Sequence, residues 1–183
     1  MNKIELPAQA LMAPLPVLIV TSGSLERPGA MTAAWTGIIN SDPPVTYVSI
    51  RPERYTHNQV KESGVFVLNL VCEALARAVD YCGVVSGFQV DKVAHLGLTV
   101  EPGPHTKCPM LMESPVNIEC RVRHVENLGS HDFFMADIVG IYADPHLIED
   151  GALRLDKAGL IAFAGGNYTA LGGAIGKTGF SLE

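Results

Sequence analysis

Residues 30–56, AMTAAWTGIINSDPPVTYVSIRPERYT, hold the key to how the chain folds. Ser41-Asp42-Pro43-Pro44 is a strong turn signal, because proline presets its own φ and aspartate bonds to nearby backbone. It separates two stretches, 30–40 and 45–51, which are expected to pair antiparallel. A turn centred on those residues sets Ala34 about opposite Arg51 and Trp35 about opposite Ile50. Ala33 and Ala34 have small side chains, so a flat ligand can approach bare backbone beside Trp35, the only tryptophan in the chain. Beyond the second strand Pro52 ends the pairing, and Arg51, Arg54 and Thr56 fall within six residues. Thr56-His57-Asn58-Gln59 matches a capping box that opens a short helix. A helix start offers free N–H donors and the positive end of a dipole, which suit a phosphate. Singly, each residue has a plainer role: Thr56 as a cap, the alanines as filler, Trp35 as core, and the arginines as surface partners of Glu53 and Glu62. Together they describe a platform for a planar ring with an anion site at its end.

Working outward, strands outnumber helices. PVLIVTS (16–22), VTYVSI (45–50), VFVLNL (65–70), VNIECRV (116–122) and FFMADIVGIY (133–142) read as strands. In VNIECRV, Val116, Ile118, Cys120 and Val122 share one face and polar residues take the other. Asn127 to Ser130 is a turn that joins it to the next strand. Short helices are expected over about 56–63, 73–81 and 90–96, closed by Gly64, Gly83 and Gly97. No repeat and no linker interrupts the chain, so residues 1–183 are expected to form one domain. Strands with little helix between neighbours imply a mainly β (α+β) fold, an antiparallel barrel with short peripheral helices.

Composition sets limits. The chain of 183 residues carries a net charge of -6 and is 48% apolar, with mean hydropathy +0.23. It is therefore globular, and on average it repels a polyanion such as nucleic acid. The apolar run LPVLIV (15–20) is too short for an export signal or a membrane span, so a cytoplasmic location is expected. Cys72, Cys82, Cys108 and Cys120 show no metal-ligand spacing and read as reduced structural thiols, with no metal expected.

The order AMTAAW, DPP, SIRPERYTHNQVKESGVFVLNL resembles the flavin reductase-like family, FMN-binding split barrels that include flavoredoxins. SGFQVDK (86–92), GSHDFFMADIVG (129–140) and NYTALG (167–172) extend the resemblance in the same order. The resemblance implies FMN as cofactor and NAD(P)H or a redox partner protein as electron donor. It implies that Thr32, Ala33, Ala34 and Trp35 contact the isoalloxazine ring, and that Ser49, Ile50 and Arg51 flank the ring and ribityl chain. Arg54 and Thr56 would hold the phosphate, Ser86, Gly87 and Lys92 would complete the pocket, and His131 would lie near the ring as the catalytic candidate. Phe88 stands where the family often carries a basic residue. A homodimer is implied as well, with the glycine-rich tail from Gly165 reaching a partner and placing Tyr168 near its site. Flavin carries the redox chemistry itself, which fits a chain without a catalytic triad.

Two other patterns fail on inspection. LGGAIGKT (171–178) lacks the first glycine of a phosphate-binding loop, because Leu171 stands there, and the helix that such a loop needs is not expected after it. His131, Asp132 and Asp137 suggest hydrolysis, yet no serine or cysteine sits in an elbow motif. Three functions of different class remain: an NAD(P)H:flavin oxidoreductase, a flavoredoxin-like electron carrier, and an FMN-binding module without turnover.

Overall fold

A computed structural model describes residues 2–182. Its strands are β1 (Leu15–Pro16), β2 (Leu18–Gly23), β3 (Pro28–Ala33), β4 (Thr36–Ser41) and β5 (Pro44–Ile50), followed by β6 (Val65–Leu70), β7 (Val100–Pro102) and β8 (Pro109–Leu111). The hairpin β9 (Val116–Asn127) and β10 (Asp132–Ala143) comes next. Then come β11 (Ile148–Glu149), β12 (Ala152–Leu153), β13 (Ile161–Ala164) and β14 (Asn167–Ala170). The α-helices are α1 (Tyr55–Ser63), α2 (Ala76–Val84) and α3 (Lys92–His95).

Seven strands form one antiparallel sheet in the order β3-β2-β6-β9-β10-β5-β4. Its two edge strands are consecutive in the chain: β3 ends at Ala33 and β4 begins at Thr36. Two residues cannot span a flat seven-stranded sheet, so the sheet curls until its edges meet. Ala34 and Trp35 lie at that seam, where β3 and β4 do not pair with each other. This is the mainly antiparallel split barrel that the sequence implies.

The expected single strand over 30–40 is thus two strands with different partners. Residues 28–33 pair with β2, and only 36–41 pair with β5. Near the turn the register is as expected, with Ser41 opposite Pro44 and Asn40 opposite Val45. An irregularity at Ile39 then shifts it by one, so that Thr36 faces Val48. Trp35 consequently meets Ser49, not Ile50, and the Ser49 amide donates to the Trp35 carbonyl at 2.9 Å.

Alternation along the strands fills two cores. Leu18, Val20, Phe66, Leu68, Cys120 and Phe134 pack inside the barrel. Val17, Ile19, Val71, Val79, Cys82 and Val93 pack outside it, beneath α2 and α3. Part of the polar face of β9 is buried too, with Asn117 and Glu119 inside and Arg121 exposed. The segment before β8 covers Glu119, which accepts from His105 N, Thr106 N and Thr106 Oγ1 at 3.1, 2.7 and 2.5 Å. Burial pushes the Glu119 carboxyl up, but the bonds from Thr106 and His105 outweigh it and hold the group below its usual range.

Two helix ends differ from expectation. Helix α1 starts one residue early, with extended Arg54 as its N-cap and no side-chain cap, so the capping box does not form. Gln59 turns instead to the Arg27 carbonyl at 3.1 Å and the Tyr55 hydroxyl at 3.3 Å. Gly83 does not close α2 but lies inside it, whereas Gly64 at φ 70° does close α1. No helix among the described residues is long and apolar enough to cross a membrane.

Candidate functional site

The seam opens into a cleft of about 160 Å³ lined by β3, β5, the residues after β5 and His131. Of the residues singled out in the sequence, Thr32, Ala33, Ala34, Trp35, Ser49, Arg51, Arg54 and His131 line it. They come together because β3 ends and β4 begins here, and because β10 pairs with β5 so that Asp132 faces Ile50. That pairing carries His131, just before β10, over the indole of Trp35 with ring centroids 4.6 Å apart. The imidazole is half-buried, and Ser130 Oγ lies 2.9 Å from its Nδ1. Burial lowers the pKa of His131, and the Arg51 guanidinium lowers it further against the pull of Glu53, so the ring is neutral near pH 7.

A smaller cavity of about 130 Å³ adjoins the cleft, sharing Thr32, Ala34 and Arg54 with it and adding Gly83, Phe163 and Tyr168. Tyr168 comes from β14, which pairs with β13, and its ring lies 5.4 Å from that of Phe163. Within its own chain, β14 thus brings Tyr168 to the cavity beside the cleft. Thr32 Oγ1 donates to the Val79 carbonyl and fastens β3 to α2.

At the far end, two cations converge on the C-terminal carbonyls of α2, the negative end of its dipole. Arg54 Nη1 donates to Gly83 O at 2.9 Å. Buried Lys92 donates from Nζ to Cys82 O at 3.0 Å and Val85 O at 3.1 Å. Burial depresses the Lys92 ammonium below its usual range, and Arg54 presses the same way against the opposing pull of Cys82. Among the described residues no carboxylate forms an ion pair with either cation.

Residues 12–172 match the model of the flavin reductase like domain. The chain belongs to the flavin reductase-like family. It is similar to the flavoredoxin of Desulfovibrio vulgaris (Miyazaki F), at 34% identity and TM-score 0.91 over 99% of this chain and 100% of that one. The flavoredoxin from Methanosarcina acetivorans matches at 28% identity and TM-score 0.89 over 100% of both chains. An FMN-binding protein from Thermus thermophilus, solved with bound 1-cyclohex-2-enone, matches at 26% identity and TM-score 0.78 over 92% of this chain and 96% of that one.

Within this flavin reductase-like frame, several singled-out residues stand away from the cleft. Ile50 is fully buried inside the barrel. Thr56 is buried in the first turn of α1, its hydroxyl 3.1 Å from the point where a Cβ on Gly29 would lie. Ser86 and Gly87 form the turn after α2. A Cβ on Gly87 would lie 2.7 Å from the Tyr55 ring, so glycine there permits close packing. Phe88, in the place of a basic residue, sets its edge against Tyr55 at 5.1 Å. Lys92 does not line the cleft but bonds the same helix end as Arg54.

Sequence reading missed the layer beneath His131. His57 Nε2 lies 2.8 Å from Asp132 Oδ2, both buried, and Asn127 Nδ2 donates to Asp132 Oδ1 at 2.7 Å. This pair ties α1, which Arg54 caps, to the strand that begins beside His131. The Asn127 amide, then His57, holds the Asp132 carboxyl below the usual carboxylate range. The only hint in the sequence is a polar residue at each element's start, 75 positions apart. Among the described residues no group of three or more His, Cys, Asp and Glu is placed to hold a metal ion.

Proposed function

We propose that the protein binds FMN in the seam cleft and acts as an oxidoreductase that passes reducing equivalents from NAD(P)H through the flavin. The observation that carries this reading is the pair of cations, Arg54 and Lys92, supplied with carbonyls but no carboxylate. Carbonyl oxygens at the negative end of the α2 dipole satisfy the hydrogen-bond donors but offset two full charges only in part, and a phosphate monoester at Arg54, which lines the cleft, compensates the remainder. FMN has such a phosphate on the ribityl end of a planar ring.

The remaining groups have roles that follow from their positions. The backbone of Ala33 and Ala34, bare for want of large side chains, accepts the flat face and edge of a ring beside Trp35. Arg51 and the backbone donors at the seam are suited to the negative charge that a reduced flavin gains. When bound, FMN supplies the hydride chemistry. The protein binds and orients it and keeps a neutral His131 against Trp35, where it adds no positive charge beside the ring. Trp35 is 41% exposed, which leaves the seam reachable by a soluble donor.

Anaerobic stopped-flow mixing of the FMN-loaded protein with NADH and with NADPH tests the donor. Bleaching of the flavin band within seconds supports the oxidoreductase. A second reading, a flavoredoxin-like carrier reduced by a protein partner, is favoured by the full-length likeness to two flavoredoxins. It is supported if dithionite bleaches the protein and neither nicotinamide does. We further propose a single domain that works as a homodimer, since Ile38, Leu128 and Ile141 are 69%, 63% and 56% exposed on the outside of the barrel. Light scattering tests the pairing. The free thiols suit a reducing compartment such as the cytoplasm.

A further inference from the structure

A second opening lies on the other side of Trp35. It is a groove of about 530 Å³ between the extended N-terminal segment and the β4–β5 hairpin. Leu11, Met12, Pro14 and Leu15 form one wall, and Trp35 and Tyr47 form the other. The Tyr47 ring is held by stacking on Phe133 at 5.1 Å and 25°, so that wall is a fixed aromatic surface. The groove shares Ala34, Trp35 and Ser49 with the seam cleft and so adjoins it.

The two openings differ in charge. Arg51 and Arg54 line the cleft, whereas every residue that lines the groove is uncharged. A phosphate or pyrophosphate placed in the groove loses its hydration and meets no cation, which is costly. The volume lies within the range of small-molecule sites. We propose that this groove binds an uncharged, planar one- or two-ring molecule, of the quinone or aromatic carbonyl class, as the electron acceptor. The acceptor role rests on the flavin reading above; the binding itself does not. For a quinone the step balances: reduced flavin gives up two electrons and two protons, the quinone becomes the hydroquinone, and FMN is restored.

The N-terminal wall gives the handle for a test. Leu11 is 71% exposed and lies outside both cores, so Leu11→Glu leaves folding intact while placing a charge in the groove. The probes are 2-naphthol, which is neutral at pH 7 and inert to reduction, and 2-naphthalenesulfonate, the same rings with a fixed charge. Calorimetry on flavin-free and FMN-loaded protein is expected to show one equivalent of 2-naphthol bound in both states. The sulfonate is expected to bind at least about tenfold more weakly, and Leu11→Glu to lower naphthol affinity by at least about tenfold with FMN affinity unchanged. The inference is overturned by equal binding of the two probes, by no saturable binding, by indifference to Leu11→Glu, or by naphthol displacing FMN. Lost binding in a dimer whose second copy covers the groove overturns it too. FMN titration of the same samples reads the flavin proposal separately: naphthol bound as described without FMN binding removes that proposal and keeps the groove.

Discussion

Arg54→Met separates the two ends of the proposed FMN site. Arg54 lines the cleft and donates to Gly83 O at 2.9 Å, which holds the guanidinium in place. Two unit charges about 4 Å apart interact by about 4 kcal/mol at an effective dielectric constant near 20. Arg54 is half-buried, so solvent screening and its own desolvation remove much of that, leaving about 1.5–3 kcal/mol for a charge-assisted hydrogen bond to phosphate. FMN affinity is therefore expected to fall about 10- to 150-fold. Riboflavin has the same rings and ribityl chain but no phosphate, and its affinity is expected to change less than about threefold. Losing the bond to Gly83 O costs a further ~1 kcal/mol of stability, seen as a melting point lower by about 2–4 °C. Arg54→Lys keeps the charge but replaces the planar fork by a compact ammonium without its fixed, spread donors, so an intermediate loss is expected. Quenching of flavin fluorescence, titrated with FMN and riboflavin in parallel, gives both affinities. An equal fall for both ligands, or no fall for FMN, refutes the placement of the phosphate.

Three further outcomes follow from particular side chains. Thr56→Val is expected to keep FMN affinity within about threefold, because the hydroxyl packs against Gly29 and not into the cleft; a loss of tenfold or more puts it on the phosphate. Asp132 has a depressed pKa in the fold, so its stabilisation is in force above the unfolded carboxylate value near pH ~4 and disappears as pH falls through the folded one. Asp132→Asn is accordingly expected to cost about 2 kcal/mol at pH 7 and to flatten the acid limb of stability in urea titrations, and an unchanged acid limb assigns that loss elsewhere. Burial pushes the Cys82 thiol up to about 11 and the Cys108 thiol up to about 12, and it raises Cys120 as well. At pH 8 only half-buried Cys72 is expected to react quickly with a disulfide reagent, and rapid reaction of all four in the native protein contradicts the described core.

Much of this was legible before any coordinates, and the reasons are physical. Alternation in VNIECRV and the Asn127–Ser130 turn specify the long hairpin, since both are local. The Pro-rich turn specifies the β4–β5 pair and, near the turn, its register. The shift at Ile39 escaped because no local signal marks it. The seam escaped too, because Ala34 and Trp35 look like strand residues until the sheet order makes β3 and β4 opposite edges. Helix α1 was recognisable, but its cap was misassigned: Thr56-x-x-Gln59 fits the pattern, while tertiary contacts draw Gln59 to Arg27. That Ala33, Ala34 and Trp35 line one opening was visible because small residues beside the only tryptophan are unusual. Its support, the His57–Asp132 pair and the α2 carbonyls under Arg54 and Lys92, depends on residues brought together from distant segments and could not be read from spacing.

The claim that matters most is that the seam holds a flavin by its phosphate. Isothermal titration of the flavin-free protein with FMN and with riboflavin, in one buffer at low salt, tests it directly. The account predicts one FMN per chain, bound at least about 100-fold more tightly than riboflavin, with the difference narrowing as salt is raised. Equal affinity for the two, unaffected by salt, contradicts it.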